Sequence, residues 1–418
     1  MIRPLDAAYA ALLGVSAPVW GSALLRTGKW RTDWRGRRGF APVLPRDDRP
    51  TLLLHGVSVG EVVAAEPLVR RLEADGVRVV VSTTTDTGTD RARALYAPDH
   101  RVVRYPLDFS WIVSRFLDRV RPDAVGLLEL EVWPHFTAEC ARRGIPVAVV
   151  NGRLGVASFR GYRRVRRVVA PSFSRLRAVA AQSELWARRF VDLGVPGASV
   201  QVTGSMKWDV DLPTDLAARA RALRAELGID PDRRVVVAVS TGPGEEVALL
   251  RHTPPDVTLV VVPRKPERFE EVARLAPWVR RSRAGAAGGG DLSGRRLFLL
   301  DTMGEAEVAT ALADVVVIGR SFNGMGGSNA IPAAALGRPI VIGPSHHNFT
   351  EVVEALRPAS VEIATLAGLP GVLRDGDALH RIAEAGPAIV RARRGACERN
   401  AAILLDLLAC TPHDRSAP

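Results

Sequence analysis

Short runs of Val, Leu and Ile recur along this chain, separated by stretches whose apolar residues repeat with helical spacing. TLLLHGV (51–57), VRVVVST (77–83), RVVRYPL (101–107), AVGLLEL (124–130) and IPVAVVN (145–151) form a first set. Helix-like segments lie between them at Glu61–Asp75, Thr87–Tyr96, Ser110–Val120 and Pro134–Arg143. Near-continuous apolar strands alternating with helices predict a parallel sheet covered on both faces, which Ala178–Gln182 and Ser199–Thr203 extend. The alternation breaks around Ser205–Asp215. It restarts with RVVVAVST (234–241), DVTLVVVP (256–263), RLFLLDT (296–302), DVVVIGR (314–320) and RPIVIGP (338–344), and Arg283–Gly290 reads as a flexible surface loop. Two α/β units joined near residue 210 predict an open architecture with a cleft between domains and ligand sites beyond the carboxyl ends of the strands.

The N-terminus departs from this rhythm. Ala7 to Leu25 carries no charged side chain, and Arg26, Lys29, Arg31, Arg35, Arg37 and Arg38 follow with Trp30 and Trp34 among them. A secretory signal has its charge before the apolar run. Gly14, Pro18 and Gly21 weaken a spanning helix, so the segment reads either as an interfacial, membrane-associating helix with a basic, aromatic flank or as a helix packed on the first domain. The predicted organisation is an N-terminal segment over 1–40, a first domain over 41–208 and a second over 209–418.

The net charge of +12 is carried almost wholly by arginine, lysine occurring only at 29, 207 and 265. Such a balance suits anionic lipid or a phosphorylated substrate. No nucleic-acid module is present and aromatics do not interleave with the basic residues, so no nucleic-acid partner is expected. Cys140, Cys397 and Cys410 show no CxxC spacing, which argues against a disulfide framework and a zinc site.

Candidate chemistry sits at strand ends. Ser58-Val59-Gly60-Glu61 leads from strand to helix; Glu61 is either an ordinary helix-start acid or a general base. In LELEVWPHF (128–136) Glu129 and Glu131 end an apolar strand, facing opposite ways if the alternation persists, where a carboxylate is costly unless paired or functional. Arg153 follows the next strand, within VNGRLGVASFRGYRR (150–164), and suits an anionic group; Arg163, Arg164, Arg166 and Arg167 read as a solvated face. In the second half, VSTGPGEE (239–246), VVPRKPERF (261–269) and RSFNGMGGSNAIPAAALGRPIVIGP (320–344) are turns of the kind that bind anions, the last placing Gly324, Gly326, Gly327, Ser328 and Asn329 before a helix. GxGxxG with its distal acid and GxxxxGK[ST] are absent, which disfavours nicotinamide and ATP chemistry.

HGVSVGEVVAAEPL, VSTTTDTGTDRARALY, LELEVWP, VTGSMKWD, LLDTMGE, AALGRPIVIGP and NFTEV, in this order, resemble the Kdo (3-deoxy-D-manno-octulosonic acid) transferases of lipopolysaccharide synthesis. The resemblance runs from the N-terminus to at least Glu354. It implies a GT-B fold, two Rossmann-like domains with parallel sheets facing a central cleft, the first binding acceptor and the second nucleotide sugar. It implies inverting transfer of Kdo from CMP-Kdo to a lipid A precursor at the cytoplasmic face of the inner membrane, with no cofactor or protein-bound metal. Partners would be a CMP-activated sugar donor, an anionic lipid-linked acceptor and the membrane surface. On the same ground Glu61 would be the base and Glu131 would hold acceptor or base geometry, with Ser58, Gly60 and Arg153 on the acceptor side. Lys207, Arg264, Gly326, Gly327, Ser328, Asn329 and Asn348 would bind the donor.

Departures cluster on the donor side. The family's STHxGEE reads Ser240-Thr241-Gly242-Pro243-Gly244-Glu245-Glu246, PRHPER has Lys265 for histidine, and GGHNPLEP has Ser328 for histidine and Pro332 for glutamate. That glutamate is the kind of residue that holds a ribose through its hydroxyls, and its loss removes two acceptor oxygens. A relative using another nucleotide sugar, or a non-catalytic envelope-assembly scaffold, are the competing expectations.

Overall fold

The computed structural model describes residues 32–45, 48–97, 101–283 and 296–410, with Asp6, Ala7, Tyr9 and Ala11. Most of the apolar N-terminal stretch and of the Gly/Ala-rich loop therefore lies outside the described residues, among which no helix is long and apolar enough to cross a membrane.

The apolar runs become two seven-stranded sheets, and every pairing is parallel. The first contains β1 (Thr51–Gly56), β2 (Arg78–Thr83), β3 (Arg101–Arg104), β4 (Ala124–Leu128), β5 (Val147–Gly152), β6 (Ala178–Ala181) and β7 (Val200–Val202) in the order β3-β2-β1-β4-β5-β6-β7. The second contains β8 (Val235–Thr241), β9 (Thr258–Pro263), β10 (Val279–Arg280), β11 (Leu297–Leu299), β12 (Val315–Ile318), β13 (Ile340–Ile342) and β14 (Ser360–Glu362) in the order β10-β11-β9-β8-β12-β13-β14. In each sheet the winding reverses beside the first strand, between β1 and β4 and between β8 and β12, where side chains are free to converge above the strand ends.

Burial on both sheet faces explains the Val/Leu runs. Leu53, Val80, Val125 and Val149 point to one side of the first sheet, among Phe116, Phe136 and Phe190. Leu52, Leu54, Val79, Val81 and Ala148 point to the other, among Leu68, Leu72 and Leu404. The segment expected as one helix over Glu61–Asp75 is two, Val59–Ala64 and Glu66–Ala74. Pro67 sets the break, because it lacks the N–H that would continue the first helix.

The chain divides into Met1–Asp209 with Arg394–Pro418, and Val210–Arg393. The second domain was expected to run to the end of the chain; its last helix instead packs on the first sheet. The helix Ala396–Ala409 buries Leu404, Leu407 and Leu408 in that sheet's core. Gly126 of β4 leaves room for it, since an added Cβ would meet Leu404 at 3.2 Å. Buried Asn400 seals the contact, its Oδ1 accepting the Asn151 N–H at 2.8 Å and its Nδ2 donating to Thr203 Oγ1 at 3.2 Å.

Candidate active site

Both reversal points carry strained backbone. Five described non-glycine residues have positive φ, and Glu129, Asn151, Ser240 and Arg320 among them stand at or just beyond the ends of β4, β5, β8 and β12. Holding a non-glycine residue there costs on the order of 1–3 kcal/mol and is typical of functional sites.

In the first unit the site begins with a helix cap. Ser58 is the N-cap of Val59–Ala64, its Oγ accepting the Glu61 N–H at 3.3 Å. Glu61 answers with both oxygens: Oε2 accepts the Val57 N–H at 2.8 Å and Oε1 accepts the Ser58 hydroxyl at 2.7 Å. This reciprocal capping, in which Ser-x-x-Glu satisfies the helix start, fixes the carboxylate above β1. Gly60 is not required by packing, since a Cβ there would meet nothing nearer than Ser58 Oγ at 3.8 Å. Beneath the loop His55 is fully buried, stacked on Tyr105 at 3.7 Å with Nδ1 2.9 Å from Ser82 Oγ. Burial pushes its pKa down to about 3, so the ring is neutral.

Glu129 and Glu131 do not face opposite ways as strand alternation predicts. β4 ends at Leu128, and Glu129 takes φ 61°, which breaks the alternation. Both carboxyls consequently sense Glu61. Burial holds Glu129 above the usual carboxylate range and Glu61 adds to the rise, with Lys207 and Arg153 opposing. Burial raises Glu131 as well, against a 2.9 Å hydrogen bond donated by the Trp133 indole. Arg153 is anchored by its own N–H, which donates to the Glu129 carbonyl at 3.0 Å. Lys207, on the short turn Met206–Trp208, therefore stands with the acids of this unit. Two carboxyls that resist ionisation beside a third, with cations at their edge, form a site able to take a proton from a bound hydroxyl. The sequence singled out Glu61 and Glu131; Glu129 is equally part of the group, and its signal was the same acid at the end of an apolar strand.

In the second unit a cavity of about 220 Å³ opens beyond β8 and β12. Arg264, Ser328 and Asn329 line it, and so do Arg320, Glu307 and Pro332. Arg320 is held by donating from Nε to Ser328 Oγ at 3.1 Å, while the Ser328 hydroxyl donates to the Gly319 carbonyl at 3.0 Å. Burial and then the neighbouring Arg264 charge push the Arg320 pKa down, the situation of two guanidiniums gathered for an anion. The space above Gly242 is taken by Asn323, Arg320 and Met325, the nearest 2.4 Å from where its Cβ would be.

The expected phosphate cradle of glycine amides is a correction. The Gly326 N–H donates to Ser345 Oγ at 3.1 Å and the Gly327 N–H to the Arg320 carbonyl at 2.8 Å, so both serve the loop itself. Gly326 must still be glycine, having φ 86° and the Asn348 amide 2.2 Å from its Cβ position. Asn348 braces the same loop, its Nδ2 donating to the Met325 carbonyl at 3.1 Å, and is not among the cavity's lining residues.

Below the cavity two glutamates hold the frame. Glu245 accepts the N–H groups of Gly242 at 2.8 Å, Arg320 at 2.7 Å and Phe322 at 3.0 Å. Glu246 makes a buried bidentate pair with Arg268 at 2.6 and 3.0 Å. The GEE and PERF segments are thus scaffold rather than contact surface.

A family model described as 3-deoxy-D-manno-octulosonic-acid transferase (kdotransferase) matches residues 32–210. The 3-deoxy-D-manno-octulosonic acid transferase of Bordetella pertussis is 30% identical over 93% of this chain and 95% of its own length. That of Haemophilus influenzae is 29% identical over 97% and 95%. The solved structure of Acinetobacter baumannii MurG aligns with a TM-score of 0.55 at 14% identity, covering 86% of this chain and 99% of that one, a likeness of fold.

Proposed function

The chain belongs to the Kdo transferase family of glycosyltransferases, and we propose that it moves a Kdo-type sugar acid from a CMP-activated donor to a hydroxyl of an anionic, lipid A-type acceptor. Glu61 is the base. Its carboxylate is fixed before substrate arrives, by Val57 and Ser58, and each oxygen keeps a lone pair for the incoming proton. The acceptor oxygen attacks the anomeric carbon on the face opposite the phosphate, the bond to the phosphate breaks with its electron pair leaving on CMP, and the proton passes to Glu61. The centre inverts. Glu129 and Glu131 keep the acceptor hydroxyl oriented, Arg153 meets acceptor anions, and Lys207 is the cation offered to the sugar's carboxylate. Arg264 and Arg320 take the donor phosphate, a diester that becomes the more highly charged monoester of CMP as it leaves, a change that two charge-assisted contacts favour; Ser328 and Asn329 shape the pocket, and Gly326, Gly327 and Asn348 hold its loop.

The observation that carries this reading is the capped Glu61 beside Glu129 and Glu131, whose ionisation burial opposes. We place the reaction at the cytoplasmic face of the inner membrane, on the strength of the apolar stretch 7–25 and the basic flank after it. The test is transfer from CMP-Kdo to a lipid A precursor by wild type and Glu61→Gln. The amide still accepts the Val57 N–H, so the cap survives while the base is lost, and transfer should fall about 10²–10⁴-fold. Full activity in Glu61→Gln would remove Glu61 from the mechanism.

The replaced donor-side residues Gly242, Lys265, Ser328 and Pro332 favour a second reading, a different nucleotide sugar. Calorimetric binding of CMP, UDP and GDP with Arg264→Ala as control decides between them, and no binding of any would bring forward a non-catalytic scaffold.

A further inference from the structure

The cavity beyond β8 and β12 is chemically two-ended. One end holds Arg264 and Arg320, close enough for the first charge to depress the pKa of the second. The other wall belongs to the helix Ala306–Leu312 and contributes Glu307, the one acidic side chain among the described lining residues. Burial raises the Glu307 pKa and the opposing cation is Arg219, not either arginine of the cavity. The cation acting on Glu307 is thus one outside the cavity lining, and no described ion pair joins Glu307 to Arg264 or Arg320.

Its neighbours have little to offer a ligand hydroxyl. The Thr310 hydroxyl donates to the Ala306 carbonyl at 2.7 Å, Asn329 Oδ1 already accepts the Ile331 N–H at 3.1 Å, and Ser328 Oγ is engaged with Arg320 and Gly319. Pro332, lining the same cavity, has neither a side-chain acceptor nor an N–H. Glu307 makes no hydrogen bond with any described residue and is exposed, which leaves both its oxygens open to a ligand's hydroxyls.

We infer that Glu307 accepts the hydrogen bonds of the ribose cis-diol of the nucleotide donor, supplying from the Ala306–Leu312 helix the two acceptor oxygens that position 332 lacks. A ribonucleotide matches the cavity's polarity: an anionic phosphate for the arginines, and two vicinal hydroxyl donors for the lone carboxylate. The reverse placement would set phosphate against carboxylate. The inference rests on the reading of this cavity as the donor site and adds the residue that distinguishes ribose from a sugar without hydroxyls.

The test crosses ligand hydroxyls with the carboxylate. Calorimetry on the full chain measures CMP and 2′,3′-dideoxy-CMP against wild type and Glu307→Ala, a substitution that keeps a strong helix former on a partly exposed helix. Wild type should prefer CMP about tenfold to a hundredfold, the range for hydrogen bonds to a charged acceptor. Glu307→Ala should lower CMP affinity to the dideoxy level and leave dideoxy-CMP unchanged, whereas a merely structural role would weaken both ligands together. Tight CMP binding with the hydroxyl preference intact in Glu307→Ala would overturn the role of Glu307 alone. Absence of binding of either nucleotide to wild type would overturn the donor reading and this inference with it.

Discussion

The two sheets use the same topological position for opposite charge. Beyond β1 and β4 stand three carboxyls with Lys207 and Arg153 at their margin; beyond β8 and β12 stand two guanidiniums and one carboxylate. The groups are also held differently. Glu61 is fixed by Val57 and Ser58, partners within four residues of it, so its placement is written into one short segment. The cavity is framed by Glu245, which ties the amide of nearby Gly242 to those of Arg320 and Phe322 in one distant loop. There the frame and the contact residues are separate side chains. A site in which the base caps its own helix can exchange that residue only for one that still accepts the Val57 N–H. In a site whose frame is carried by Glu245 and Glu246, the lining residues can be exchanged while the loops stay put, which accounts for Ser328 and Pro332 standing in an otherwise intact architecture.

The contrast is broken most directly by chemistry confined to one side. Glu61→Gln should remove transfer by the factor given above and leave nucleotide affinity within about twofold, since additivity holds for sites without shared partners. A large loss of nucleotide binding in that variant would show that the two sites are not separable. Next in size, Arg320→Ala should weaken CMP binding about tenfold to a hundredfold through lost charge-assisted contacts, with Arg264→Ala similar; calorimetry reads it, and an unchanged Kd would exclude the pair from the phosphate site. The smallest effect sharpens the first site. Burial and Glu61 hold the Glu129 carboxyl high, so the folded state keeps a proton that the unfolded chain releases. Stability therefore falls as pH rises from the ordinary carboxylate value through the raised one. Glu129→Gln cannot suffer this loss, so its Tm advantage over wild type should be absent in acid, grow as pH rises from the ordinary carboxylate value through the raised one, and then level off. A difference that is constant with pH would show that the Glu129 charge is not opposed in the fold.

What the sequence made legible follows the same division. Runs such as TLLLHGV and VVVAVST identify central strands because burial on both faces demands continuous apolar residues. The edge strands β10 and β14, of two and three residues and only partly buried, carry no such run. Ser58-Val59-Gly60-Glu61 was readable because its hydrogen bonds are local. Arg320 and Glu307 were not, since no motif marks either side chain and only the packing of the Ala306–Leu312 helix ahead of β12 puts both on one cavity. The amides of Gly326 and Gly327 misled for a related reason: a glycine-rich turn shows that N–H groups can be exposed, but not that Ser345 and the Arg320 carbonyl claim them. The apolar face of Ala396–Ala409 likewise declares that it is buried without naming the sheet that buries it.

That last helix has a consequence for biogenesis. Because Arg394–Pro418 belongs with Met1–Asp209, the first unit is the frame into which the second is inserted, and the order of completion reverses the order of translation. The ribosome delivers all seven strands of the first sheet early, but Gly126 and Leu54 must wait for Leu404, more than a hundred and eighty codons after β7. The nascent sheet spends that interval with an apolar face uncovered, a surface for chaperones to hold, while the inserted unit has all its residues and can close first. A premature stop just before Ala396 would spare every residue proposed to take part in the chemistry and still leave no finished protein.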